Sequence, residues 1–112
     1  MAFPVPGFGI DVPGATVATS SSPATQVLTT NYALWLLVLK NVTGSGDLST
    51  VRLRHRTHEA GPWSPWESVA TGLPVAAGST LSIAETSRRA QAWEVELTAA
   101  SAGSIELWMA GV

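Results

Sequence analysis

The chain has 112 residues, a length that fits one domain and can bury a core without staples. It contains no cysteine, which excludes a disulfide framework and a thiolate metal site. Charged residues make up 12%, about half the usual ~25%, and a formal net charge of -2 gives no general attraction to nucleic acid or an anionic membrane.

The opening stretch, MAFPVPGFGIDVPG, has neither a basic n-region nor a continuous apolar h-region, so no secretory signal is expected. Residues 1–24 hold four of the seven prolines, three of the ten glycines and a single charge, Asp11. Val-Pro-Gly occurs twice in them, and each Pro-Gly suits a type II turn because proline fixes φ near -65° and glycine accepts φ > 0. Phe3, Val5, Phe8, Ile10 and Val12 are apolar, whereas a free tail is normally polar and charged. The expectation is an extended Pro/Gly-rich arm over 1–24 that lies on a partner surface, ahead of a folded domain over 25–112.

From residue 25 the pattern is β. TQVLTTN and YALWLLVLKNVT are rich in β-branched and aromatic residues and end at the turn cluster TGSGD. Apolar on both faces, the second run reads as a central strand, with a short helix beginning at Asn31 as the alternative. Its longest apolar stretch, Ala33 to Leu39, is far short of the roughly 20 residues of a membrane helix. STVRLRHRT alternates, with Val51, Leu53, His55 and Thr57 on one face and Arg52, Arg54 and Arg56 on the other. HEAGP turns, WSPWESVA returns, TGLPVAAGS is a loop, and TLSIAE offers Leu81 and Ile83 to one face. In RRAQAWEVELTAA, Trp93, Val95 and Leu97 point inward and Glu94 and Glu96 outward. In SIELWMAGV, Ile105, Leu107 and Met109 point inward and Glu106 and Trp108 outward. Seven to eight short strands with turn signals between them predict an all-β fold, an antiparallel β-sandwich or jelly roll.

Three arginines on one strand face, about 7 Å apart, repel unless each has a carboxylate, an aromatic face or water. Glu94, Glu96 and Glu106 supply carboxylates, and Trp63 and Trp66 supply planes for guanidinium stacking. A nucleic-acid site needs more cation than this, and Lys40 is the one lysine. His55 and His58 with Glu59 form an HxxH cluster, but i and i+3 on a strand face opposite ways, so no metal is expected. No phosphate-binding loop and no GxSxG elbow occurs, and Glu94 and Glu96 on one short strand are a poor glycosidase pair. The expectation is no enzyme, no catalytic residue and no cofactor.

VRLRHRTHEAGPWSPWES resembles the alternating-arginine strand and WSxWS segment of fibronectin type III domains in cytokine receptors. The resemblance implies a structural ladder with Arg52, Arg54 and Arg56 as rungs and Trp63 and Trp66 as plates, although Glu67 stands where the motif has its second serine. The last third, AGSTLSIAETSRRAQAWEVELTAASAGSIELWMAGV, with the arm and the cysteine-free Ala/Thr/Ser-rich composition, resembles small virion proteins of tailed bacteriophages, such as capsid decoration (cement) and tail accessory proteins. That resemblance implies a structural protein made in the host cytoplasm and carried on the virion. Its partners would be copies of itself, possibly as a trimer, and a major capsid or tail protein, with no nucleic acid or membrane. The expected assembly interface comprises Phe3, Val5, Phe8, Ile10, Val12 and Trp108. The alternative reading is a carbohydrate- or receptor-binding module that uses exposed tryptophans as a stacking platform.

Overall fold

The computed structural model describes residues 9–29 and 34–111, with side chains described for 16–28 and 34–111. Eight strands form in chain order: β1 (Gly9–Thr19), β2 (Ala24–Thr29), β3 (Trp35–Asn41), β4 (Leu48–Arg56), β5 (Glu67–Ser68), β6 (Thr80–Glu85), β7 (Ala92–Ala99) and β8 (Gly103–Gly111). They make two four-stranded antiparallel sheets, sheet A in the order β1-β8-β3-β6 and sheet B in the order β2-β7-β4-β5. Only β4 and β5 are consecutive neighbours within a sheet; every other connection crosses between sheets. Eight strands wound between two sheets in this order make a jelly roll.

Alternation builds the core. Leu37 and Leu39 of β3, Val51 of β4, Trp93, Val95 and Leu97 of β7, and Ile105 and Leu107 of β8 are all fully buried between the sheets. Each such side chain contributes about 1.5–3 kcal/mol by leaving water. Trp35 and Trp93 meet edge to face across the core, ring centroids 5.2 Å apart. The Leu-rich run is a strand and an interior one, but its burial alternates, and no described residue covers the face carrying Leu36 and Val38.

Asn41, at the end of β3, is a buried polar knot. Its Nδ2 donates to the Gly46 carbonyl at 3.0 Å and the Val75 carbonyl at 2.9 Å, tying the turn after β3 to the loop before β6. Gly44 in that turn has φ +89°, a conformation that excludes most side chains. The loop also carries Val75, buried and bridged to Leu48 by a pair of 2.9 Å backbone hydrogen bonds.

The expected boundary at residue 24 is corrected by β1. Gly9–Thr19 pairs along β8 from Gly9↔Gly111 to Thr19↔Gly103, so the sandwich includes this strand and does not start at residue 25. The Pro-Gly step does not stop the strand because β1 is an edge, where a missing N–H costs one side of the ladder nothing. Register shifts between Ile10/Val12 and Pro13/Ala15 absorb the irregular backbone. Val17, near the end of β1, is part of the core. Phe3, Val5 and Phe8 lie outside the described residues, and Ile10 and Val12 are β1 backbone positions opposite Ala110 and Met109.

Candidate functional site: two unlike sheet faces

Over β4 and β7 the outer face of sheet B is covered by its own side chains, while Val27 on the β2 edge is 41% exposed. Register sets Arg52 opposite Glu96 and Arg54 opposite Glu94, with Thr25 and Val27 of β2 on the far side of the two carboxylates. Arg52 Nε donates to Glu96 Oε1 at 2.8 Å and Arg54 Nε to Glu94 Oε1 at 2.6 Å. Arg56 Nε donates to Gln91 Oε1 at 2.9 Å. Flanked in this way, Glu94 and Glu96 are only 8% and 9% exposed although they point away from the core.

Over this row lies the segment between β4 and β5. Pro62 and Pro65 cannot donate to a ladder and favour polyproline-II backbone, whose three-residue repeat turns Trp63 and Trp66 to the same side. Ser64 holds the segment to the strand: its N–H donates to the His55 carbonyl at 2.7 Å, and its Oγ accepts the His55 N–H at 3.0 Å. The Val69 N–H then donates to the Val51 carbonyl at 2.9 Å. The guanidinium carbon of Arg52 lies 5.2 Å from the Trp66 ring centre; that of Arg54 lies 4.4 Å from Trp66 and 5.1 Å from Trp63; that of Arg56 lies 4.7 Å from Trp63. The contacts run in the order Arg52, Trp66, Arg54, Trp63, Arg56, so each indole serves two cations. Each arginine thus has both an aromatic plane and a hydrogen-bonded oxygen.

The histidines do not converge. His55 packs its ring on Trp93, centroids 4.8 Å apart, while His58 Nδ1 accepts the Ala60 N–H at 3.2 Å within the turn. Among the described residues no group of three or more His, Asp or Glu is placed to hold a metal ion.

Arg88, in the β6–β7 loop, was not singled out by the sequence and joins the two sheets at their β5/β6 edge. It reaches Glu67 of β5 at 2.7 Å and Glu85 of β6 at 3.0 Å, and lies 5.1 Å over the Trp93 ring. Hydrogen bonding from Arg88 holds the Glu67 carboxyl below its ordinary range. At Glu85 burial raises the carboxyl, but hydrogen bonds from Arg88 and the Ser87 N–H outweigh it and leave it lowered. Both carboxylates in turn raise the Arg88 guanidinium. The closeness of Glu85 and Arg88 in the chain was the available signal, but nothing local links either of them to Glu67.

The outer face of sheet A is different in kind. Trp108 on β8 is 46% exposed, Leu36 on β3 is 46% exposed, and Val38 stands directly opposite Trp108. Ala84 of β6 is opposite Leu36, and Ala110 of β8 flanks it on the other side. Lys40 and Glu106 face each other further along the same pair of strands. Trp108 therefore points outward, as the alternation of SIELWMAGV predicts, and the face around it is apolar and uncovered by the described residues. An exposed apolar cluster of this type is a candidate interaction surface.

No protein-family model and no curated protein matches the chain. Among solved structures, a chain in the structure of infectious bursal disease virus Gx strain is similar, with a TM-score of 0.54 and 11% identity over 92% of this chain. The match covers 30% of that chain, so the present chain spans under a third of its length. A chain from the disulfide-linked pili that form Bacillus endospore appendages aligns at 19% identity and a TM-score of 0.44, over 94% of this chain and 88% of that one. What the likeness to the virus chain establishes is the fold, a two-sheet antiparallel sandwich.

Proposed function

We propose that this chain is a non-enzymatic assembly protein, a virion decoration or accessory subunit that docks on other protein subunits through the outer face of sheet A. The observation that carries the reading is the contrast between the two faces. Over β4 and β7 sheet B is covered by its own arginines, tryptophans and glutamates and exposes Val27 at its β2 edge, whereas among the described residues nothing covers the cluster of Trp108, Leu36 and Val38 at the centre of sheet A. A low content of charge with aromatics retained is the composition of surface meant for burial between subunits. The fold, similar to a domain-sized part of a virus chain, agrees with a place in a particle.

The competing use of the tryptophans is a sugar platform. That use needs a free indole face, and the contacts of Trp63 and Trp66 with Arg52, Arg54 and Arg56 occupy theirs. Trp108 is left for either role. Co-sedimentation separates them: particles purified from cells that make the protein should retain it through a density gradient, and Trp108→Ala should leave it in the soluble fraction. The substitution removes a half-exposed ring and should change folding stability by less than about 1 kcal/mol, while weakening docking roughly thirtyfold, as expected for an aromatic hot spot worth ~2 kcal/mol. A chain absent from particles that binds oligosaccharide through Trp108 would replace this reading with the carbohydrate module.

A further inference from the structure

The outer face of sheet A is complementary to itself. Three rows of paired residues cross its two central strands: Lys40 opposite Glu106, Val38 opposite Trp108, and Leu36 opposite Ala110. In each row one member is the counterpart of the other, a cation beside an anion or a large apolar side chain beside a smaller one. Lys40 and Glu106 form no ion pair with each other or with another described residue, so both charges are available to a partner.

A two-fold axis lying in the plane of the face, parallel to the strands and midway between β3 and β8, exchanges the two members of every row. It sets Lys40 of one copy over Glu106 of the other, twice. The same operation sets Trp108 over Val38 and Leu36 over Ala110, so that bulk on one copy meets space on the other. The flanking strands follow: β6 exchanges with β1, and Thr80, opposite Lys40, comes over Thr16, opposite Glu106. The sheet order β1-β8-β3-β6 puts this axis at the centre of the sheet. Aligned sheets pack about 10 Å apart and rotate by about 30°, which shifts the Lys40 row by a few ångströms, within the reach of a lysine stem.

We propose, building on the reading of sheet A as the docking face, that its occupant is a second copy of this chain, bound by this two-fold with reciprocal Lys40–Glu106 pairs. A two-fold contact of this kind is isologous and closes at two copies, so the unit offered to a larger lattice is a dimer and not the trimer that the phage resemblance implies. Four strands about 20 Å wide and 20 Å long give a total buried surface of roughly 1,000 Å2, the low end for specific interfaces. Area does not fix affinity, so the measurements run from about 1 μM to hundreds of micromolar.

The test is sedimentation equilibrium of the full chain and of two charge reversals, alone and mixed. The full chain should approach twice its monomer mass of 11.7 kDa. Lys40→Glu and Glu106→Lys each place like charges against each other on both sides of the axis and should weaken association about a hundredfold. In the mixture one variant carries a carboxylate at both positions and the other an ammonium at both. Every charged contact across the axis of a mixed pair then joins opposite signs again, and the dimer should return. Any cost inside one chain persists in the mixture, so recovery on mixing reports a contact between copies. A full chain that stays monomeric to hundreds of micromolar, single variants that remain dimeric, or a mixture that fails to recover overturns the proposal. Run with the unsubstituted chain, the particle experiment separates the two readings: a monomeric chain still recovered on particles refutes the pairing alone, and a dimer absent from particles refutes the virion reading alone.

Discussion

Replacing Arg54 by alanine removes the middle rung of the ladder, and the structure allows the cost to be assembled from its parts. Arg54 stacks against two indoles, at 4.4 Å and 5.1 Å, where Arg52 and Arg56 each have one. Its side chain is 29% exposed, so each stack falls near the upper part of the exposed range, about 1 kcal/mol. Its loss also strands Glu94, whose side chain is only 11% exposed and has Val27 on its far side. A largely buried carboxylate without its donor costs about 1–3 kcal/mol, and the alkyl stem adds packing. The total is about 3–5 kcal/mol for Arg54→Ala. For Arg52→Ala, with one stack and a more exposed ion pair, about 1–2 kcal/mol is expected. Urea denaturation followed by far-UV circular dichroism measures both. Arg54→Lys keeps the charge beside Glu94 but has no plane to stack and should recover about half the loss. Equal losses at the two positions, or full recovery with lysine, would show that the ladder contributes charge alone and refute the stacking argument.

Three other outcomes follow from the same contacts. Asn41→Asp turns a buried double donor into an acceptor facing two carbonyls, and should cost about 3 kcal/mol or more in urea denaturation, against about 2 kcal/mol for Asn41→Ala. Glu67 and Glu85 both titrate below 4.5 in the folded state, so the stability they add is present above about pH 4.5 and lost as pH falls through their lowered values; partial exposure keeps it under about 1 kcal/mol, and Arg88→Gln should flatten the fall in urea midpoint between about pH 5 and pH 3. Deleting residues 1–24 removes β1 and Val17 from the sandwich and bares one edge of β8, so the truncated chain should lose its cooperative thermal transition; a sharp transition near that of the full chain would show that β1 is dispensable.

Much of this architecture was legible because alternation is a local signal. In β7 and β8 the period of two separates Trp93, Val95, Leu97, Ile105, Leu107 and Met109 from Glu94, Glu96, Glu106 and Trp108, and the structure keeps every one of those assignments. β1 was not legible. Its Pro13-Gly14 step is a genuine interruption, and whether it ends a strand depends on its place in the sheet, which only tertiary pairing decides. The burial of Glu94 and Glu96 was hidden for a similar reason: outward direction is set by their own strand, but their cover comes from β2 and β4.

The three arginines and two tryptophans form a stack whose parts one segment of the chain supplies. Spacing placed the arginines on one face, and the prolines brought both indoles to one side, so the stack followed from the segment's own residues. What the stack does is consume the very groups, cations and aromatic planes, that would otherwise bind a ligand on sheet B. Among the described residues the sole lysine, Glu106 and Trp108 on sheet A are not consumed in this way, which is why the proposed docking face lies there. Those three residues are separated by more than sixty positions from Lys40 to Trp108, and no local pattern joins them. The β3–β8 register does, and it is the same register that makes the face complementary to its own image. An outward tryptophan is therefore a matter of strand period, but a partner for it is a matter of sheet order.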